Sequence, residues 1–235
     1  MKIAYDNLLE NATITSTSEN ANYPLENLYH NWKRKYFQAV DDVLSLTITL
    51  TWTVPQTIEA IGIAYHNLDG ATATFYDDVD AVLDTWTVSV DNDTDLTYGS
   101  QTGVYKVALA LSSPVTIYLG NLFVGEVISN SKSADQDIPL YSSDVVSSSS
   151  DRQIAGRKGS VTRGGSISIP LLTSSQRKAL EEVFYDRGRI EPFYLDLWDL
   201  SHSDFAPLYC VFESDLTVNH EEAGDTVSFD IREVN

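Results

Sequence analysis

The sequence predicts a mainly β protein, built as two β-rich parts with one flanking α-helix. Apolar and polar residues alternate with period two over much of the chain, and turn-forming residues interrupt that alternation at short intervals. Helical periodicity is convincing in a single stretch near residue 180. A chain of 235 residues, 43% hydrophobic and 11% aromatic, is large enough for one big or two ordinary domains with real cores.

The first part, residues 1–127, reads as an antiparallel sandwich. Leu44, Leu46, Ile48, Leu50 and Trp52 fall on one face of a strand, with Ser45, Thr47, Thr49 and Thr51 on the other. The same pattern recurs at Ile61-Ile63-Tyr65, Ala71-Ala73-Phe75, Trp86-Val88-Val90, Tyr105-Val107-Leu109 and Val115-Ile117-Leu119. Turn signals separate these runs: Val54-Pro55, Leu68-Asp69-Gly70, Asp91-Asn92-Asp93 and Ser112-Ser113-Pro114.

From residue 128 to 165 the chain turns rich in Ser, Asp and Gly and includes the run Ser147-Ser148-Ser149-Ser150. This segment is expected to be a linker followed by an exposed arm, DRQIAGRKGSVTRGG. Residues 166–235 form the third region, which opens with the alternating Ser166-Ile167-Ser168-Ile169. Thr173-Ser174-Ser175-Gln176 has capping-box form, Leu180, Val183 and Phe184 make an apolar stripe, and Gly188 supplies a stop. A helix over 174–187 follows, with strands at Phe193-Leu195-Leu197, Leu208-Cys210-Phe212, Leu216-Val218 and Val227-Phe229-Ile231.

Charge narrows the function classes. Lys and Arg total 15 against 34 Asp and Glu, a formal net charge of −19. Such a surface repels phosphate backbones, so nucleic acid is excluded as a partner, and it offers little to an anionic membrane. The opening MKIAYDNLLENATI lacks the apolar core of a signal peptide, and no apolar run approaches the roughly 20 residues of a spanning helix. The expectation is a soluble protein made in a cytoplasm, without membrane insertion. Cys210, the single cysteine, lies in the alternating LYCVFE and is expected to be a buried structural thiol.

Catalytic signatures do not emerge. His30, His66, His202 and His220 show no metal-ligand spacing, and HExxH is absent. Asp91-Asn92-Asp93-Thr94-Asp95 opens like a calcium loop, but Leu96 replaces the turn glycine and Thr102 the bidentate glutamate, so an acidic hairpin tip is expected. Neither GxSxG nor GxxxxGK[ST] occurs, and Gly156-Arg157-Lys158-Gly159-Ser160 lacks a strand-then-helix setting. The expectation is a non-enzyme without cofactor or bound metal; a hydrolase using Asp and Glu residues is the weakest rival, because nothing marks a site.

Two basic features stand out. Lys33, Arg34 and Lys35 follow Trp32 within TSTSENANYPLENLYHNWKRKYFQA. Arg152, Arg157, Lys158 and Arg163 sit in the glycine-punctuated arm, where they could dock on an acidic patch of a neighbouring copy or partner, or form a solvated hairpin.

Short motifs in the first part carry a resemblance: Ala12-Thr13-Ile14-Thr15-Ser16-Thr17-Ser18, Tyr23-Pro24-Leu25-Glu26-Asn27-Leu28, Trp32-Lys33-Arg34, LSLTITLTW, IEAIGIAYHNL and GNLFVGE. Together they resemble the discoidin-like (F5/8 type C) jelly roll in the form found in tailed-phage proteins. The resemblance implies that Trp32 belongs to the sandwich floor and that loops at one end hold sugar. Its candidate ligand residues are Trp32, Lys33, Arg34, Lys35, His66 and Asn67. The second part, with its basic glycine-rich turn, strand, LTSSQRKALEEVFYDRG helix and PFYLDLWD strand, is similar to a phage distal-tail or tail-tip domain of tail-tube-like β-sandwich fold. What the two resemblances imply is a structural component of a long-tailed phage tail tip or baseplate, located in the virion and synthesised in a bacterial host cytoplasm. Its partners would be tube, tail-tip hub and fibre proteins, with a homo-oligomeric ring through sheet edges. The alternative is a carbohydrate-binding module contacting host-surface glycans.

Overall fold

The computed structural model describes residues 2–29, 35–129, 135–137, 140–142, 145–148, 154–157, 161–189, 191–196, 207–221 and 224–234. In chain order its strands begin with β1 (Lys2–Asn7), β2 (Thr13–Ser16), β3 (Phe37–Gln38), β4 (Ser45–His66) and β5 (Gly70–Tyr76). Next come β6 (Val82–Val88), β7 (Thr94–Ser112), β8 (Tyr118–Ser129), β9 (Asp135–Asp137) and β10 (Leu140–Ser142). There follow β11 (Val145–Ser148), β12 (Ile154–Arg157), β13 (Val161–Leu172), helix α1 (Ser174–Arg187) and β14 (Phe193–Asp196). The chain closes with β15 (Leu208–Phe212), β16 (Thr217–Glu221) and β17 (Gly224–Glu233). The protein is mainly β, with one α-helix among the described residues. No helix among them is long and apolar enough to cross a membrane.

Two compact units result: Met1–Ser129 with Phe193–Tyr209, and Asn130–Pro192 with Cys210–Asn235. Assigning all of 166–235 to one C-terminal part therefore needs correction. The reason is a non-local pairing, since β14 is antiparallel to β1, with Ile3 opposite Leu195.

In the first unit β4 is the spine. The turn expected at Val54-Pro55 is instead a bulged passage within one strand, where the register against β7 shifts between Thr51 and Gln56 and again before Ala60. A proline without an N–H is tolerated at such a bulge, and the bulge bends the strand. The N-terminal half of β4 pairs with β2 and the end of β7, which continues to β5 and β6. Its C-terminal half pairs with β8, which pairs in turn with β1 and β3. Inward residues from both halves, among them Ile48, Leu50, Trp52, Ile61 and Ile63, join Phe75, Leu109, Leu122 and Val124 in one core. Each such side chain contributes about 1.5–3 kcal/mol by leaving water. Leu44, expected on that face, precedes the strand and is 50% exposed. The other face of the C-terminal half is covered as well. A Cβ at Gly62 would come within 3.1 Å of the Tyr194 ring, so that position must stay small.

The second unit has its own apolar centre. β13 pairs with β17, β9 and β10, while β16 and the last residues of β15 also pair with β17. β11 and β12 form a separate hairpin. The expected linker and arm over 128–165 thus contains strands, because a polar sequence still pairs through its backbone and polar strands suit sheet edges. Helix α1 has the expected bounds and cap. The Gln176 amide N–H donates to Thr173 Oγ1 at 3.3 Å, and Thr173 N–H donates to Gln176 Oε1 at 3.0 Å. Leu180 and Val183 are buried, and the Phe184 ring packs at 5.2 Å on Phe212, which meets Phe229 at 5.2 Å.

Candidate functional site

A cavity of about 480 Å³ opens in the first unit. The end of β4 brings Tyr65 and His66 to it, and β3 with the residue before it brings Gln38 and Tyr36. Asp93 arrives from the loop before β7, while the start of β8 and its lead-in add Thr116, Tyr118 and Gly120.

Successive strand residues normally point to opposite faces, yet Tyr65 and His66 both line this cavity. The backbone explains it. Tyr65 has φ of 57°, in the left-handed region, and its N–H donates to the Asp93 carbonyl at 2.6 Å. That conformation costs an L-residue roughly 1–2 kcal/mol, and such strain clusters where a site needs a particular side-chain aim. Gly120 makes room for it: a Cβ there would lie 2.7 Å from Tyr65 Cβ and 3.1 Å from the Ala64 carbonyl oxygen.

One wall is aromatic. Tyr36 stacks on Tyr23 with centroids 4.7 Å apart and planes 16° off parallel, and it meets Tyr118 edge-on at 6.1 Å. Tyr118 is 41% exposed, so its ring is open to a ligand. The hydrogen bond with Tyr23, with burial adding to it, pushes the Tyr36 phenol above its ordinary pKa.

Beneath lies His66, whose imidazole is 3% exposed. Its Nδ1 accepts the Leu68 N–H at 3.2 Å, which places the proton of the neutral ring on Nε2. Nε2 lies 3.7 Å from Asp95 Oδ2, too long for a hydrogen bond, and no described residue supplies one. Asp95 is held by its own loop, accepting from Asn92 N at 2.8 Å, Asn92 Nδ2 at 3.0 Å and Ser89 Oγ at 3.0 Å. Burial pushes the Asp95 carboxyl up, but His66, Asn92 and Ser89 outweigh burial and hold it below the ordinary carboxylate value. The stretch that opens like a calcium loop is therefore a turn tied around Asp95. Among the described residues no group of three His, Cys, Asp or Glu is placed to hold a metal ion.

The candidates from sequence fare unequally. His66 lines the cavity. Asn67 braces it from behind: Nδ2 donates to the Thr116 carbonyl at 2.7 Å and Oδ1 accepts the Tyr118 N–H at 2.9 Å. Lys35 is exposed, next to Tyr36 in the chain. Trp32, Lys33 and Arg34 lie outside the described residues, as do Arg152 and Lys158 of the arm. Arg157 is in β12. Arg163 is in β13, and its guanidinium is committed to Glu233 through contacts of 2.7 and 3.2 Å, with the backbone N–H adding one at 3.0 Å. Tyr36, Gln38, Tyr65, Thr116, Tyr118 and Gly120 were not candidates in the sequence, and Asp93 entered it only within the stretch that opens like a calcium loop. They come from separate segments, and only pairings such as Phe37 opposite Leu119 bring them together.

No protein-family model matches the sequence, and no curated protein does. Solved structures do match over about half of the chain. Chitosan-binding module 1 of a chitosanase/glucanase from Paenibacillus sp. IK-5 is 17% identical over 52% of this chain and 100% of its own, with a TM-score of 0.44. A fucose-binding module of Streptococcus pneumoniae, SpX-3, is 14% identical over 52% of this chain and 98% of its own, TM-score 0.44. The lectin-binding domain of Lectinolysin, a His 62 mutant complexed with Lewis b, is 6% identical over 52% of this chain and 96% of its own, TM-score 0.44.

Proposed function

We propose that the first unit binds a saccharide in the cavity between Tyr36, Tyr65 and Tyr118. The observation that carries the reading is an aromatic wall, with Tyr36 edge-on to Tyr118, beside the polar residues Gln38 and Thr116 in one cavity. The C–H faces of a sugar pack on aromatic rings, while its hydroxyls need placed donors and acceptors. His66 lines the cavity too, but its Nε2 is closed off from solvent, 3.7 Å from Asp95 Oδ2. Gln38 adds an amide. Thr116 Oγ1 accepts the Asp42 N–H at 3.1 Å, which leaves its own proton to reach the ligand. The role is binding, not catalysis.

A glycan array tests this directly. Wild type binds a defined glycan set, Tyr118→Ala and Tyr36→Ala lose at least about tenfold in affinity, and Tyr185→Ala, an exposed ring on α1, binds as wild type. Absence of binding by wild type, or equal binding by the cavity variants, overturns the reading.

The proposed setting is the tail tip of a phage, where the second unit joins tube, hub or fibre proteins and the first presents its cavity to host-surface glycans. Its support is the sequence resemblance together with the strand–helix order β13–α1 in the second unit. Antibody labelling of purified phage particles checks it: label at the tail tip is expected, and label confined to unassembled protein contradicts it.

A further inference from the structure

We propose that two copies of this chain pair edge to edge through β6, a contact separate from the saccharide cavity. β6 is the terminal strand of its sheet: β5 pairs with one side of it, and no described strand pairs with the other. Val82 is 60% and Leu83 39% exposed, and Asp84, Thr85 and Thr87 are exposed with them. Native sheets blunt their edges with short strands, lysine, proline or bulges. The strand on the far side of β4, β2, has only four residues. β6 has seven, contains neither lysine nor proline, and slips in register only at its start, where Tyr76 lies opposite Val82.

Hydrogen bonds mark the open side of β6. Thr85 N–H donates to Asp84 Oδ1 at 2.8 Å and Ser89 N–H to Thr97 Oγ1 at 2.8 Å, so neither points at β5. By the two-residue alternation of an antiparallel ladder, Leu83 and Thr87 present their backbone groups on that same side.

A second copy fits this edge because the strand is complementary to itself. In an antiparallel pair about a two-fold axis at Thr85 the whole strand overlaps: Val82 faces Val88, Leu83 faces Thr87, and Asp84 faces Trp86 of the second copy. Leu83, Thr85 and Thr87 then exchange backbone N–H···O bonds across the axis, with a carbonyl of the second copy replacing Asp84 Oδ1 at Thr85. Asp84 is the strand's one charged residue, and an axis at Asp84 would set the two carboxylates opposite each other. The axis at Thr85 instead sets each carboxylate opposite an indole, the group whose Nε1–H already donates to Asp84 Oδ2 at 2.8 Å within one copy. The contact is isologous, so assembly through it closes at the dimer. Pairing one short strand buries less than the about 1,200–2,000 Å² of a standard interface, which makes the dimer weak and reversible. Each copy carries a formal net charge of −19, so repulsion opposes the contact and salt tightens it.

Sedimentation velocity of the full chain, from micromolar to sub-millimolar protein, tests the proposal. Wild type is expected to pass from monomer to dimer, and to do so at several-fold lower concentration in about 1 M than in about 0.1 M salt. Leu83→Lys and Thr85→Pro should stay monomeric, since lysine guards edges and proline lacks the N–H while fitting an unpaired edge position. Thr85→Val keeps the N–H, and Leu44→Lys puts the same charge at another exposed site; both should dimerise like wild type. Urea midpoints matching wild type show that the variants fold, and if Leu83→Lys does not, the contrast of Thr85→Pro with Thr85→Val decides alone. A wild type that stays monomeric throughout, a dimer that survives Thr85→Pro, or assembly that continues beyond the dimer would overturn the proposal.

Discussion

Asn67 was expected to touch ligand, and the structure makes it a brace whose removal has a calculable effect. Its side chain spans from the end of β4 to the lead-in of β8, with bonds of 2.7 Å to the Thr116 carbonyl and 2.9 Å from the Tyr118 N–H. Asn67→Ala deletes both. Each intramolecular hydrogen bond contributes about 0.5–1.5 kcal/mol net, and the freed backbone groups are near enough to solvent to rehydrate, so the loss should be about 1–3 kcal/mol. Other ties persist: Ser113 Oγ donates to the Asn67 backbone carbonyl at 2.7 Å, and Ala39 N–H donates to Ile117 O at 3.0 Å. The unit should therefore still fold, with a loosened Thr116–Tyr118 wall. Urea unfolding followed by tryptophan fluorescence gives the stability change, and calorimetry with an array-identified glycan gives the affinity. A stability loss in that range, with affinity weakened several-fold, is expected. Stability within about 0.3 kcal/mol of wild type and unchanged affinity would refute the bracing argument.

Three further predictions follow from other parts of the chain. The Asp95 carboxyl lies below its ordinary value, so its contribution is fully present above about pH 4 and is lost as pH falls through the lowered folded value. Asp95→Asn should cost about 1–3 kcal/mol at pH 7 and flatten the acid limb of stability against pH, read by urea midpoints at pH 7 and pH 3. Burial, with Glu233 adding to it and Arg163 opposing, pushes the Cys210 thiol well above its ordinary value; alkylation by iodoacetamide should therefore need unfolding, and fast labelling of native protein would contradict that. Thr173→Ala removes the α1 cap and should cost about 1 kcal/mol, measured by thermal melting, while Thr173→Ser should cost a fraction of that.

Local patterns were readable from the chain and long-range ones were not. Alternation placed Leu46, Ile48, Leu50 and Trp52 on a buried face, and Thr173, Gln176 and Gly188 marked the helix, because each signal lies within a few residues. Val54-Pro55 misled because a bulge lets proline sit inside a long strand, an outcome fixed by β7 and not by the dipeptide. The return of β14 to β1 depends on residues nearly 200 positions apart, such as Ile3 and Leu195. The cavity was the least legible feature. Its walls come from several segments, and the aim of Tyr65 depends on a left-handed backbone made possible by Gly120, which is distant in sequence. His66 entered as a candidate through the family resemblance and not through any local pattern. The pairing of Arg163 with Glu233 was not legible, because the two lie 70 residues apart.

The most direct test is a backbone-amide NMR titration of the chain with the strongest ligand from the glycan array. The account predicts saturable shifts confined to residues around Tyr36, Gln38, His66, Asp93, Thr116 and Tyr118, abolished in Tyr118→Ala. Shifts centred elsewhere, or a bound ligand that leaves these amides unmoved, would contradict it.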